Sequence, residues 1–429
     1  MKKVQFATYR DLRQYTEMMA IMPKSPEEIR RANADGNWHA WMADGRSKDF
    51  SHLNLSEYDP NYFDYDDLTI WPSKDKMPRA FNPEEVMENM KDPGLGIRKL
   101  HKIGLTGKGL NMAIIDQRLP DHEEYHDNII SNEEFGDWSI VEPEGSMHGA
   151  AVASIAVGKT CGVAPDAKVY YFADQNILSH NEDYSEMKRT YRYGIQAIER
   201  ILEINKKLPV KDRIQVISCS WGTDDWDFED YEKMQQIIQK CKEEGIFLHT
   251  TSSKNNYGLA SHGLNRNALK NPNNPDSYEE APFLKDRYTK DALSFPMSHR
   301  TLAGTFSYNS YVHYNAGGWS WKQPFESALF LLARQINPQI TPGEFWKVGL
   351  KTATKKGRLN IVNPVKLVNI LTKEMLKKLQ DKKSLTEDEK SHVKQLQKWI
   401  KGTENSSRNL RKRLAKGSKT STIKKGKLR

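Results

Sequence analysis

A chain of 429 residues, 37% hydrophobic and 28% charged, is long enough to bury a large core in one big domain or two to three smaller ones. No apolar run approaches the ~18 residues needed to span a bilayer, and MKKVQFATYRDLRQYTEMMAIM lacks the apolar stretch of a signal peptide, so a membrane-spanning or conventionally secreted chain is not expected. The net charge of +9 resides in residues 402–429, where ten Lys/Arg face one acid, which leaves the rest of the chain neutral and without a basic face.

Residues 1–94 are polar and rich in Trp, Tyr and Asp (WHAWMADG, EYDPNYFDYDD), with weak periodicity. They are read as an N-terminal extension with one or two short helices. From 95 to 370 short apolar strands alternate with helices, the pattern of βαβ units around a mostly parallel sheet. The predicted strands are Asn111–Asp116 (NMAIID), Lys168–Ala173 (KVYYFA), Ile214–Ser220 (IQVISCS) and Gly245–Thr251 (GIFLHTT). Near-continuous apolar strands suit a sheet covered on both faces, which gives an α/β fold class. A helix is expected from Glu186 to Asn205, with Ile195, Ile198, Ile201 and Leu202 on its buried face. Residues 252–316 read as a loop-rich, irregular segment over one sheet edge. Residues 371–401 form a charged helical segment in which Thr386 and Glu389 make a capping box for a helix ending near Trp399. The tail 402–429 is expected to be disordered, either as a solubilising segment or as a contact for nucleic acid or another anionic surface. Cys161, Cys219 and Cys241 are odd in number and far apart, so no disulfide framework is implied and a cytoplasmic location is expected.

Three segments carry chemistry. In GGWSWKQPFESALFLLARQ, Phe325, Ala328, Leu329, Leu332, Ala333 and Ile336 recur at helical spacing, which puts Ser320 at the start of a buried helix behind Gly317 and Gly318. Ser320 is then either a helix cap or a nucleophile at the positive end of a helix dipole. Asp116 ends the strand NMAIID and would stand at the rim of the sheet. His148 opens the apolar helix MHGAAVASIAVG. Open α/β sheets gather such groups at the carboxyl ends of their strands.

With these residues in place, the chain resembles the subtilisin-like serine proteases, or subtilases. GKGLNMAIID resembles that family's aspartate strand, and HGAAVASIAVGKTCGVAPDAKVYYF its histidine helix and following strand. VISCSWG resembles the strand that pairs with extended substrate, and GWSWKQPFESALFLLARQINPQITPGEFWKVGLKTA the serine motif with its helices. The resemblance covers roughly residues 95–370. It implies a three-layer αβα fold with a mostly parallel sheet, and a serine endopeptidase with Ser320 as nucleophile, His148 as base and Asp116 as its orienting acid. Protein or peptide substrate would lie beside Ser220, Trp221 and Gly222. The altered neighbours of the motif also fit a catalytically weak or inactive member that binds peptides.

The chain departs from the family where Gln117 and Arg118 follow the aspartate, Ala150 and Ala151 follow His148-Gly149, and Trp319, Trp321 and Lys322 surround the serine. The resemblance calls for an oxyanion asparagine near SSKNNYG. Asn255 is the candidate, with Asn256 behind it, and both also read as ordinary turn residues. The acids Asp224, Asp225, Asp227, Glu229 and Asp230 are either a helix N-terminus or the mouth of a pocket for basic side chains, and the helix reading is preferred. His122 and Cys219 read as structural. No cofactor is implied; calcium fits the family, but no calcium-loop spacing is present. Residues 1–94 could be a removable pro-region, although the missing signal peptide weakens that reading.

Overall fold

The computed structural model describes residues 4–10, 43–59, 62–136, 143–175, 190–281 and 289–404. From residue 405 the basic tail lies outside the described residues, as do residues 186–189 of the expected long helix. In chain order the N-terminal part holds β1 (Ala43–Asp44), β2 (Phe63–Asp66), α1 (Pro83–Met90) and α2 (Ile97–His101). Next come β3 (Asn111–Asp116), β4 (Ile129–Phe135), α3 (Met147–Val157), β5 (Lys168–Asp174), α4 (Arg192–Lys207), β6 (Ile214–Cys219), α5 (Tyr231–Glu243), β7 (Phe247–His249) and α6 (Ser253–Tyr257). The rest is β8 (Ser261–Arg266), β9 (Tyr278–Glu280), β10 (Leu293–Pro296), β11 (Arg300–Ala303), β12 (Tyr311–Tyr314), α7 (Gly318–Ile336), α8 (Pro342–Thr352), β13 (Thr354–Lys356), β14 (Leu359–Ile361), α9 (Pro364–Gln380) and a final helix over 387–404.

The central sheet has the order β4-β5-β3-β6-β7, and every pairing in it is parallel. Its middle strand shows why the sequence folds this way. Met112 and Ile114 join one core with Val152, Ala156 and Leu329 of α3 and α7. Ala113 and Ile115 join the other with Ile195, Ile198, Met234 and Ile238 of α4 and α5. Alternate residues of one apolar strand thus feed opposite layers, so the sheet is covered on both faces as its composition required.

The expectation of an irregular segment over 252–316 is corrected. It supplies β8 to β12, with β8 and β10 parallel inside a second sheet of order β13-β14-β10-β8-β9. These strands are short and carry Ser, His and Arg at buried positions, which erases the alternation that marks a strand in sequence. A third sheet, β1-β2-β12-β11, runs partly through the N-terminal region: β2 pairs antiparallel with β12. Beyond α9, Thr386 and Glu389 cap the helix over 387–404 reciprocally, and Leu396 and Trp399 reach the main core.

Candidate active site

Asp116 is the last residue of β3, and its carboxylate is almost wholly buried. Helix α3 begins beside it. Ser146 caps that helix by accepting from the His148 backbone N–H at 3.1 Å, which fixes His148 on the first turn. A side chain at Gly149 would meet Gln117 O at 2.7 Å and Arg118 O at 3.0 Å, so the glycine lets helix and loop close together. The outcome is a 2.6 Å contact between His148 Nδ1 and Asp116 Oδ1. A carboxylate only accepts, so Nδ1 carries the proton and Nε2 is left as the base. Burial lowers the basicity of His148, but the Asp116 charge and hydrogen bond outweigh it and raise the net pKa above the ordinary value.

Ser320 reaches the same rim by another route. Gly317 precedes α7, and a Cβ there would lie 1.8 Å from the Trp321 ring, so only glycine lets the chain turn against that buried indole. Gly317, not Ser320, occupies the cap position, and Ser320 is the third residue of the helix. Strand β6 lies beside β3 with Cys219 opposite Ile115, which brings Ser220 alongside Asp116. Ser220 and Ser320 then exchange hydrogen bonds. The Ser220 hydroxyl donates to Ser320 O at 2.8 Å, and the Ser320 hydroxyl donates to Ser220 O at 3.2 Å. Among the described residues no hydrogen bond joins the Ser320 hydroxyl to His148.

The loop after β6 is tied to the segment around α6. Asn255 Nδ2 donates to Asp224 Oδ2 at 2.5 Å, and Asn256 Nδ2 donates to Thr223 Oγ1 at 2.7 Å. Trp221 and Gly222 border a pocket of about 230 Å³ whose lining includes Asp174, Asp224 and Asp225. Two of the five acids read as a helix N-terminus therefore face a pocket instead. Asp230 directly precedes α5 and accepts from the Thr190 hydroxyl.

His122 is structural as expected. It is fully buried, its Nε2 donates to Ser310 O at 2.7 Å, and its Nδ1 accepts from the Glu124 N–H. Cys219 is a buried core residue, and all three cysteines are free. Sequence reading missed Asp174, which ends β5 as Asp116 ends β3. An acid closing an apolar strand was the available signal. It also missed Lys322 and Glu326, an i, i+4 ion pair at 3.1 Å on the buried side of α7. Among the described residues no group of three or more His, Cys, Asp or Glu is placed to hold a metal ion.

Compared with known proteins, the subtilase family model matches residues 105–293. The minor extracellular protease Epr of Bacillus subtilis (strain 168) is 21% identical over 260 residues, covering 57% of this chain. The chain spans only 35% of the length of that relative. Among solved structures, the prenylagaramide maturation protease PagA is 17% identical with a TM-score of 0.44, over 64% of this chain and 98% of its own. A protease from Pseudoalteromonas arctica is 15% identical with a TM-score of 0.45, over 68% of this chain and 98% of its own.

Proposed function

We propose that this chain, whose residues 105–293 match the subtilase family model, is a serine endopeptidase using Ser320, His148 and Asp116. The observation that carries this reading is the 2.6 Å Asp116–His148 pair, which presets the tautomer a general base needs. In the proposed reaction Ser320 Oγ turns from Ser220 O toward His148 Nε2, loses its proton there and bonds to the substrate carbonyl carbon. The developing oxyanion faces the first N–H groups of α7, which have no partner within the helix and lie at its positive end. His148 returns the proton to the leaving amine as the C–N bond breaks, and water repeats the sequence to release the acid. Peptide would pair with the backbone of Ser220, Trp221 and Gly222 as an added strand. The second amide hydrogen of Asn255 would serve as a further oxyanion donor while the first stays on Asp224.

A second reading, a peptide-binding protein that does not turn over, is favoured by the Ser320 hydroxyl being spent on Ser220 O. A fluorophosphonate probe separates the two. Labelling of the wild type and none of Ser320→Ala supports the endopeptidase; no labelling of the wild type at high probe concentration supports the binding protein. The proposal extends to a reducing, cytoplasmic setting, supported by three free, buried cysteines.

A further inference from the structure

The pocket beside Trp221 is small. At about 230 Å³ it falls below the ~300–1,000 Å³ of sites for drug-sized ligands, and it matches one amino-acid side chain. Its walls are aromatic: Tyr191 stacks on Trp221 with centroids 6.2 Å apart, and Phe228 packs on Tyr191 at 4.4 Å. At its inner end is the carboxylate of Asp174, only 6% exposed. Among the described residues no other residue donates a hydrogen bond to that carboxylate; it meets only its own backbone N–H. Gly194 keeps it accessible, since a Cβ there would sit 3.3 Å from Asp174 Oδ2 and 2.9 Å from the Trp221 ring. Two more carboxylates, Asp224 and Asp225, stand exposed at the mouth.

We propose that this pocket receives a lysine or arginine side chain of the bound peptide, its cation meeting Asp174 and its stem lying along the aromatic wall of Trp221 and Tyr191. This inference rests on the peptide-binding reading above and adds a substrate class to it. A buried acid without a partner is costly, and a cation that supplies hydrogen bonds removes that cost. Flat aromatic faces attract cations and bury the methylenes behind them. Burial, and then the charge of Asp116, push the Asp174 carboxyl well above the usual range. A purely apolar occupant would gain nothing from Asp174, which makes the acid the discriminating group.

The test is a set of quenched peptides with Lys, Arg, norleucine or Glu scanned through each position, cleaved by the full chain. At one position Lys or Arg should exceed norleucine in kcat/KM by about 10-fold or more, the value of one charge-assisted contact. In Asp174→Asn that ratio should fall to about twofold or less. Gly194→Ala, which fills the approach to the acid, should depress the ratio too and serves as the deciding variant if Asp174→Asn does not fold. A wild type indifferent to Lys and norleucine at every position, or a preference that survives both variants, overturns the inference. Calorimetry on Ser320→Ala with the Lys and norleucine forms of the same peptides reads the pocket without catalysis. If the probe labels nothing yet the Lys peptide binds about 10-fold tighter, the endopeptidase fails and the pocket stands. Equal affinities, or no binding of either peptide, refute the pocket.

Discussion

The backbone N–H of Asn315 donates to Asp64 Oδ1 at 2.6 Å, a bond between residues 251 positions apart. It anchors β2 to the loop that leads through Gly317 and Gly318 to Ser320. On the same side Arg46 lies 5.7 Å above the Tyr314 ring, and Tyr314 meets Trp321 edge to face at 5.1 Å. The N-terminal region therefore buttresses the entry to α7, and a pro-region lost on maturation would take this support with it.

Burial raises the Asp64 carboxyl to about 7, against the pull of the Arg46 charge and the Asn315 bond. Unfolded, it would ionise near ~3.9. Between those values the folded chain keeps a proton the unfolded chain has lost. The stability from this group is thus full below about pH 4 and lost as pH rises to about 7. Asp64→Asn retains an acceptor for Asn315 but cannot ionise, so it should flatten this limb and be more stable than wild type at pH 7.5. Asp64→Ala orphans the Asn315 N–H and should cost about 1–3 kcal/mol at pH 4.5. Urea unfolding at both pH values checks this; an Asp64→Asn protein weaker than wild type at pH 7.5 would falsify it.

If the proposed hydrolysis runs through His148, that residue should set the acid limb of activity. Burial disfavours its charged form, but Asp116 outweighs burial and the net shift is upward. The base works only when neutral, so hydrolysis should rise with pH through a midpoint above that of an ordinary histidine. In Asp116→Asn the attraction disappears and burial remains, so the midpoint should move to lower pH while turnover falls about 10⁴-fold. The pH dependence of kcat/KM for both proteins is the measurement. A midpoint that stays in place in Asp116→Asn would show that another group titrates.

Much of the rim was legible because its groups sit at element boundaries. Asp116 closes a strand whose every residue from Met112 on is buried, and His148 lies one residue inside a capped helix. Ser320 was foreseen at a helix start, yet its bonding to Ser220 depends on the alignment of β6 with β3, which no local pattern carries. Of the helix expected from Glu186, the part within the described residues runs from Arg192, and Tyr191 before it stacks on Trp221. Asp174 was hidden for a related reason: ending a strand is visible in sequence, but facing a cavity is set by Gly194 and Trp221 from two other elements. Strands β8 to β12 escaped because buried polar residues interrupt their alternation, as at Arg266, whose Nη1 donates to Asp92 O in the turn after α1 at 2.9 Å.

Lys322 Nζ lies 3.1 Å from Glu326 Oε1 and donates to Ser261 Oγ at 2.7 Å, with both charged groups buried in the helix that carries Ser320. His249 Nε2 is 3.0 Å from Glu326 Oε2 but off the line of a good hydrogen bond, so Lys322 is the principal partner. Burial pushes the Glu326 carboxyl up, yet Lys322 and then His249 hold it below the ordinary value. Its contribution is present above the unfolded pKa of a glutamate and is lost as pH falls through the folded one. Lys322→Met strands a buried carboxylate and should cost about 3–5 kcal/mol at neutral pH. Lys322→Met with Glu326→Leu removes both charges and should recover most of that loss at pH 7, and the gap between the two variants should narrow at pH 4, where the stranded carboxyl of Lys322→Met takes up a proton. Denaturant midpoints at pH 7 and pH 4 decide the matter. A single variant costing under about 1 kcal/mol, or a double variant no better than the single, would mean that the pair does not carry this part of α7.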